Sequence, residues 1–132
     1  MSFSSDIANF GKKTKAVITD IRRVAILRLF RDVVMDTPVD EGTLRSNWQC
    51  NAVSPLTGPL SNRSLEAVFS EMERVLSGSS YTEDVFLNNN LPYAYPIEFL
   101  GHSRIKAPQG MVRKNTIRWT QIVESAARSL AR

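Results

Sequence analysis

His102 and Cys50 are the residues whose types best suit acid–base or thiol chemistry, and each type occurs once in the chain. A Ser-His-Asp triad would need His102 as its base, but no serine lies in a Gly-x-Ser-x-Gly elbow. We therefore expect His102 to make local hydrogen bonds in a loop. Cys50 lies between apolar and amide neighbours, whereas a reactive thiol needs a basic or helix-end setting. We expect a buried, inert thiol.

Few residues could hold a metal or a cofactor. One cysteine and one histidine leave little to bind zinc, and a single cysteine excludes an internal disulfide framework. The acidic pairs Asp40–Glu41 and Glu83–Asp84 are short, and adjacent strand residues point to opposite faces, so turn and surface roles are favoured. The sequence has no phosphate-binding loop and no dinucleotide glycine fingerprint. We expect no catalytic residue, no metal and no cofactor.

A cluster of bases near the end of the sequence is the clearest binding signal, and it comprises Arg104, Lys106, Arg113, Lys114 and Arg118. Such a cluster could neutralise phosphates, although no recognisable nucleic-acid reader motif accompanies it. Trp119 fits the apolar stripe of the last helix, which favours core packing over base stacking. Bases in the first turns of that helix oppose its dipole. We therefore expect an acidic partner, which is either DNA or a neighbouring subunit.

The net charge of +4 conceals a segregated distribution. Residues 1–35 carry a net charge of +4, residues 36–100 carry −6, and residues 101–132 carry +6. A basic total suggests nucleic acid or an anionic surface as a partner, whereas a segregated one also allows copies of the chain to attract each other. Solvated faces without a partner are the third interpretation.

The length of 132 residues, with 42% hydrophobic residues, predicts one domain over 1–132. No run approaches the roughly 20 apolar residues of a membrane span. The first residues lack the charged and apolar regions of a secretory signal. We therefore expect no membrane association and synthesis in a reducing compartment, or indifference to redox conditions.

The elements that must position these residues begin with a long helix from about 5 to about 36. Ser4, Ser5 or Asp6 can cap it, and Pro38 ends it. Its apolar residues recur every three or four positions, which is the pattern of one helix face. The helix would be about 45 Å long, which is long for a small domain, so we expect part of its apolar stripe to pack on a neighbouring molecule.

The rest of the pattern predicts an α+β fold, with the long N-terminal helix, a small, mostly antiparallel β-sheet, a middle helix and a C-terminal helix. Two strands are clear, so we expect a third from residues 101–108 or from another subunit. The predicted elements are a turn over 37–44 with Gly42 as pivot, a strand over 44–53, a helix capped by Ser61 or Asn62 and ending at 77–79, a strand over 81–87, a short helix or turn over 92–100, an extended segment over 101–109, and a helix from Met111 to about Leu130.

Three stretches together resemble one protein family. Thr37-Pro-Val-Asp-Glu-Gly-Thr-Leu-Arg-Ser-Asn-Trp48 is similar to a P-V-D-T-G-x-L-R-x-S-W segment. Asn90-Leu-Pro-Tyr-Ala-Tyr-Pro-Ile-Glu-Phe-Leu-Gly101 and Arg104-Ile-Lys-Ala-Pro-Gln-Gly-Met-Val-Arg113 are similar to the segments that follow it. The order and spacing resemble the small neck and tail-completion proteins of tailed bacteriophages, the minor tail components akin to lambda-type protein Z. Without the resemblance, the proline-rich second stretch has two interpretations of equal weight, an interface anchor and a turn on its own core.

The resemblance implies a structural virion protein rather than an enzyme. Such proteins form a ring, commonly of six subunits, at the head–tail junction or the top of the tail, around the channel through which DNA leaves. The implied partners are other copies of the chain, other neck, tail-terminator or tail-tube proteins, and genomic DNA bound without sequence specificity. The chain would be made in the host cytoplasm and reside in the virion. We expect the motif residues to shape the ring contacts: Val39, Gly42, Leu44, Arg45, Trp48, Pro92, Tyr93, Glu98, Ala107, Pro108, Gly110, Met111 and Arg113.

Two further hypotheses remain beside the ring protein. A nucleic-acid-binding module would use the basic residues Arg104, Lys106, Lys114 and Arg118. A small hydrolase would be built around His102. Within the ring hypothesis, Gly42 and Gly110 would permit backbone angles that side chains forbid, and Arg113 would pair with an acidic residue of the middle segment.

Overall fold

The computed structural model describes residues 2–39, 42–80, 82–92, 94–99 and 110–130. The predicted α+β class is confirmed by a long N-terminal helix, a small antiparallel sheet and further helices. The predictions on the pair Asp40–Glu41 and on Tyr93 fall outside the described residues. So do those on the extended segment over 101–109 and on its third strand. The residues of that segment for which a role was predicted are His102, Arg104, Lys106, Ala107 and Pro108. No described helix is long and apolar enough to cross a membrane.

The long helix α1 spans Phe3–Met35. Its N-cap is Ser2, whose hydroxyl accepts a hydrogen bond from the backbone N–H of Ser5 at 3.1 Å, so the helix begins slightly before the predicted caps. At its other end the backbone N–H of Asp36 donates to the carbonyl of Asp32, and Pro38 follows as predicted. Only the second half of the helix has buried residues, namely Ala25, Val33 and Val34.

A one-turn helix, α2 (Thr43–Ser46), stands where the sequence predicted the start of a strand. Gly42, with a φ of +79°, turns the chain into α2, and the backbone N–H of Ser46 donates to the Gly42 carbonyl at 3.0 Å. The strand β1 therefore begins only at Trp48 and spans Trp48–Ala52. The predicted strand start at Leu44 was wrong because Gly42 closes a helical turn.

The middle helix α3 spans Leu65–Gly78, and its cap is Ser64 rather than Ser61 or Asn62. The Ser64 hydroxyl accepts from the backbone N–H of Ala67 at 3.1 Å. The strand β2 spans Val85–Asn89 and pairs antiparallel with β1, with Cys50 opposite Leu87. Glu83 and Asp84 thus precede the strand, and the predicted strand over 81–87 was shifted. The asparagines extend β2 because Asn89 donates to the Leu44 carbonyl at 2.8 Å.

The helix α4 (Ala94–Phe99) lies within the short helix or turn predicted over 92–100. Over the described residues 110–130, the predicted last helix is divided into α5 (Val112–Thr116) and α6 (Trp119–Leu130). The prediction of a single helix from Met111 was wrong because the backbone N–H of Arg118 donates to Asn115 at 3.1 Å in a tighter turn. The break leaves Ile117 83% and Trp119 38% exposed. Trp119 is therefore not a core residue, contrary to the prediction.

The described core has two parts. The larger one joins the end of α1, the sheet and α3, and contains Val33, Val34, Leu44, Trp48, Cys50, Val68, Met72, Val75 and Met111. The smaller one lies between α1 and α6 and contains Ala25, Ile122 and Ala126. The first half of α1 extends beyond both.

Candidate functional site

The carboxylate of Glu98, at the end of α4, lies against the N-terminus of α5. It accepts hydrogen bonds from the backbone N–H groups of Met111, Val112 and Arg113, the last two at 2.9 Å each. The first N–H groups of a helix have no partner within it, and an anion there is stabilised by the helix dipole. The Glu98 side chain is 7% exposed. We call this contact the Glu98 junction.

Arg113 completes the Glu98 junction from its side chain. Its Nε lies 3.2 Å from Oε1 of Glu98, its guanidinium also donates to the Glu98 carbonyl, and it lies 5.1 Å from the ring centre of Phe99. The predicted pairing of Arg113 with an acid of the middle segment is therefore confirmed within one chain. Lys114 lies 3.7 Å from a carboxylate oxygen of Asp36. These two bases thus find acidic partners within the chain.

Gly110 is placed at the Glu98 junction for two reasons. Its φ is +81°, which L side chains rarely adopt, and a Cβ added there would lie 2.7 Å from the carboxylate carbon and both carboxylate oxygens of Glu98. The prediction that Gly42 and Gly110 provide backbone angles that side chains forbid is confirmed by their positive φ values.

The pKa of Glu98 reflects two opposed effects. Burial alone would raise the pKa, but hydrogen bonds from the backbone of Arg113, Val112 and Met111 and from the Arg113 side chain outweigh it, and the pKa falls below its usual value. A general acid or base works best with a pKa near the operating pH. Glu98 is thus an ionised structural anchor at neutral pH.

A second junction closes the end of α1. Arg45 donates to the carbonyls of Val34, Met35 and Thr37 at 3.1, 2.9 and 3.2 Å. Trp48 donates through Nε1 to the Thr37 hydroxyl at 2.8 Å, and this hydroxyl donates to the Val33 carbonyl at 2.7 Å. The last backbone carbonyls of α1, which have no hydrogen-bond partner within the helix, are therefore bonded by side chains of the following turn and strand. We call this the Arg45 junction.

Asp36 connects the two junctions. Its carboxylate accepts from the side-chain amide of Asn115 at 2.9 Å, besides its pairing with Lys114. Asn115 is fully buried and also donates to the Met111 carbonyl at 2.8 Å. Asp36, directly before the first motif stretch, therefore contacts α5, and the start of α5 in turn belongs to the third stretch and holds Glu98 of the second.

Five of the motif residues are buried within their own chain, namely Leu44, Trp48, Glu98, Gly110 and Met111. They can therefore position the surface of a subunit, but they cannot themselves contact a neighbouring subunit. Val39 is 39% exposed, and Pro92 is also exposed. Contact of the motif residues with another subunit stays a prediction.

The sequence did not single out Arg63 and Glu71, which form a third polar contact. Arg63 Nη1 lies 2.7 Å from Oε2 of Glu71, and its other nitrogens donate to the carbonyls of Ser46 and Trp48. Glu71 also accepts from the backbone N–H of Cys50 at 2.6 Å. No local spacing predicts this contact, because Arg63 precedes α3 while its partners lie on β1 and α3.

The first half of α1 exposes a line of large apolar side chains. Phe3, Ile7, Phe10, Val17 and Ile18 are between 50% and 81% exposed. Their steps of four, three, seven and one residues place them on one side of the helix, in line with Ile21 and Ala25, which pack against α6. The stripe thus continues beyond the part that α6 covers. We call residues 3–18 the arm.

An open groove of about 620 Å³ runs between α1 and α3. Its apolar wall residues are Val24, Leu27 and Met35 from α1 and Leu65 and Phe69 from α3, and its polar ones are Arg28, Arg31 and Asp32. Arg31 lies 4.6 Å from the ring centre of Phe69. Met35 is 48% exposed. We call this the α1–α3 groove; no local pattern predicts it, because its walls come from two helices that are distant in sequence.

A cleft of about 430 Å³ between α1 and α6 is lined by three arginines, namely Arg28, Arg118 and Arg128, together with Asp32 and the α6 residues Gln121, Ile122 and Ser125. Arg28 donates to the Ser125 hydroxyl at 2.6 Å. Of the predicted basic contacts, the structure places Arg118 in this cleft and Lys114 at Asp36. We call it the arginine cleft.

Cys50 is 2% exposed, as predicted for a structural thiol. Burial, followed by the nearby charge of Glu71, raises its pKa to about 12. Among the described residues, no group of three or more His, Cys, Asp or Glu side chains could hold a metal ion.

Comparison of the chain with models of protein families, with curated proteins and with solved structures found no match. Function is therefore inferred from the contacts and surfaces described above and from the three motif stretches.

Proposed function

We propose that this chain is a structural subunit of a ring at the head–tail junction, or at the top of the tail, of a tailed bacteriophage. The phage assignment rests on the resemblance of residues 37–48, 90–101 and 104–113 to the neck and tail-completion family. The ring would complete the tail and surround the DNA channel. Its subunits would be structural, without a catalytic step.

 The number of six subunits comes from the resemblance alone.

The observation that carries this proposal is the uncovered face of the arm. Five large apolar side chains lie exposed along one line of a helix that is otherwise part of a packed domain. Contiguous exposed apolar surface of this kind is typical of a protein–protein contact. A subunit whose neighbours cover the arm explains why α1 extends beyond the core.

The segregated charges support the same proposal. Residues 36–100 carry a net charge of −6, between segments of +4 and +6. A ring is built from heterologous contacts, in which one face of a subunit meets a different face of the next. Faces of opposite charge favour that arrangement over the symmetric pairing of identical faces.

The two junctions support a structural role for the motif residues, which hold neighbouring helices together. Arg45 and Trp48 fix the end of α1, and Glu98 with Arg113 fixes α5 beside it. Ion pairs and hydrogen bonds that are buried and mutually satisfied hold elements in a single arrangement. In a ring subunit, they would keep the surfaces of α1, α5 and α6 in a constant relation.

The proposal is tested by measuring the mass of the purified chain, alone and after mixing with phage tails that lack their neck. We expect incorporation as a closed ring, either spontaneously or on the tails. A chain that stays monomeric and never joins the tails would contradict the proposal. The matched control is the same mixture with tails that already carry their neck, which should take up none.

A second candidate function, nucleic-acid binding, is favoured by the arginine cleft. Arg28, Arg118 and Arg128 line it against a single acid, Asp32. Such a site would contact phosphates, and its affinity for duplex DNA would fall steeply with salt. Binding of DNA at low salt that weakens in Arg118→Ala and Arg128→Ala would support it. The control variant Arg74→Ala should bind DNA as strongly as the unaltered chain does. If the unaltered chain does not bind DNA at low salt, this second function is refuted.

A further inference from the structure

We propose that the arms of two copies of this chain pair antiparallel along their apolar stripes and form a symmetric dimer of free subunits. The pairing goes beyond the proposed function, because a two-fold contact between like surfaces closes at two copies and cannot itself build a ring. Only its consequence for assembly rests on the proposed function: a ring neighbour would cover the same surface, so the paired arms must separate before a subunit enters the ring.

The apolar side chains of the arm have the spacing of a two-stranded coiled coil. Phe3, Ile7, Phe10 and Val17 are separated by steps of four, three and seven residues, which is the pattern of the a and d positions of a heptad. Each of the four is more than half exposed, so no described part of the chain covers this seam. A helix with such a seam is stabilised when a second helix packs on it.

Asp6 and Lys13 place opposite charges on one edge of the seam. At about 100° per residue they lie about 55° and 75° from its centre, whereas Lys12 lies on the opposite side of the helix. Both side chains are exposed, and neither forms an ion pair with another described residue. They occupy the g position of the heptad, from which charged side chains contact a partner helix and set its orientation.

These two charges select one arrangement of the helices. When Ile7 packs against Phe10 of the partner subunit in an antiparallel pair, Asp6 lies beside Lys13 of the partner subunit, and the two-fold axis repeats both contacts. A shift by one heptad would place Lys13 beside Lys13 of the partner subunit. A parallel pair would bring neither charge to an opposite one. Charge complementarity therefore favours the antiparallel pair in the first register.

The other edge of the seam and the rest of the fold leave room for a second copy. Gly11 lies at the e position, where an added Cβ would meet nothing within 4 Å, and in this register it faces Ser4 of the partner subunit. Ile21 packs against α6, and Ile21 of the partner subunit would lie about 10 Å beyond Phe3 along the helix axis. The two folded bodies are therefore at opposite ends of the paired arms.

The test is oxidation of cysteines placed on the arm. Ser4→Cys combined with Gly11→Cys gives two thiols about 10 Å apart in one helix, which is too far for an internal disulfide, but adjacent across the paired arms. We expect a disulfide-linked dimer. Ser5→Cys with Lys12→Cys is the matched control, because it has the same spacing on the opposite face and should stay monomeric. Cys50 adds little background, since it is 2% exposed and burial raises its pKa to about 12.

Single variants distinguish the possible arrangements. Val17→Cys alone would be linked only in a parallel pair, and Gly11→Cys alone only in the shifted antiparallel register, so an efficient dimer from either would overturn the register. Sedimentation of the unaltered chain over a dilution series should show a monomer–dimer equilibrium. The absence of a linked dimer from Ser4→Cys with Gly11→Cys would overturn the pairing itself.

Exchange of the two charges provides a second readout. Asp6→Lys and Lys13→Asp should each weaken dimerisation about tenfold, because both charge pairs of the dimer become repulsive, and the double variant should restore it. Restoration is informative, because general damage to the helix would not be repaired by a further substitution. Lys12→Asp makes the same change in charge on the opposite face and should leave the dimer unaltered. Failure of the double variant to recover would overturn the charge pairing.

The outcomes separate this inference from the proposed function. A chain that dimerises through its arm but never joins phage tails retains the pairing and refutes the phage ring. A chain that joins tails as a ring but gives no linked dimer from Ser4→Cys with Gly11→Cys retains the proposed function and refutes the pairing.

Discussion

Oε1 of Glu98 accepts two hydrogen bonds from Arg113, one from its backbone N–H at 2.9 Å and one from its side-chain Nε at 3.2 Å. One carboxylate oxygen thus fixes both the start of α5 and the direction of the arginine. Because Glu98 belongs to α4, this pairing joins two helices that are separated by residues 100–111.

Replacing Glu98 by Gln should destabilise the fold by about 1–3 kcal/mol. The amide keeps the size of the side chain but loses the charge that faces three backbone N–H groups and a guanidinium. Urea unfolding measures the loss. Glu124→Gln, at an exposed position of α6, is the matched control and should change the free energy of unfolding by less than about 0.5 kcal/mol.

The contribution of Glu98 to stability should disappear in acid. The pKa of Glu98 is lower in the folded chain than the ordinary value of 4.5, so the unfolded chain takes up the proton first as the pH falls. The stabilisation is therefore complete above about pH 4.5 and is lost as the pH falls through the lowered folded pKa. Unfolding of the unaltered chain and of Glu98→Gln, measured from pH 7 to pH 3, should give converging stabilities. A constant difference over that range would contradict this pKa direction.

How far the sequence predicts this fold depends on the range of the interactions. The caps and periodicity of α1 are local, and they predicted its bounds to within two residues. The Glu98–Arg113 pairing was foreseen in part, since bases at the start of a helix need an acidic partner. The sequence could not identify Glu98 as that partner, because the contact crosses residues 100–109.

Predictions that depended on alternation or on one long stripe were less accurate. The strand predicted from Leu44 begins at Trp48, because α2 forms after Gly42. Gln49 points to the face of β1 opposite Trp48 and Cys50, where alternation predicts a polar, solvent-facing side, but it is buried and its amide donates to the Gly58 carbonyl at 2.8 Å. In the first case a local helical turn overrides the alternating pattern, and in the second a contact with a loop nine residues further along the chain does so.

Gly110→Ala should destabilise the chain by at least about 1–3 kcal/mol. The new Cβ requires a left-handed backbone and approaches the Glu98 carboxylate to 2.7 Å. Gly11→Ala is a control of opposite sign, because Gly11 lies inside α1 with open space around it and alanine favours a helix by about 1 kcal/mol. Thermal or urea unfolding should therefore move in opposite directions for the two variants.

Thr37 and Trp48 should be energetically coupled at the Arg45 junction. Thr37→Val removes the acceptor of the indole N–H and leaves this buried donor without its partner, whereas after Trp48→Phe the Thr37 hydroxyl keeps its bond to the Val33 carbonyl. The double variant should be more stable than the sum of the single losses predicts, by about 0.5–1.5 kcal/mol. Thr14→Val, whose hydroxyl bonds only to the Phe10 carbonyl on the exposed arm, is the control and should be nearly neutral. Strict additivity would show that the Thr37–Trp48 bond contributes nothing of its own.

Cys50 should react with a maleimide only when the chain unfolds. Its thiol is 2% exposed, and burial followed by the charge of Glu71 raises its pKa to about 12, so thiolate is scarce at neutral pH. The labelling rate should rise by several orders of magnitude across the urea transition and should follow the fraction of unfolded chain. Phe10→Cys supplies a thiol on the exposed arm as the positive control, and it should be labelled rapidly in the folded state. Rapid labelling of Cys50 without urea would mean that β1 opens locally and that its pairing with β2 is weaker than the structure indicates.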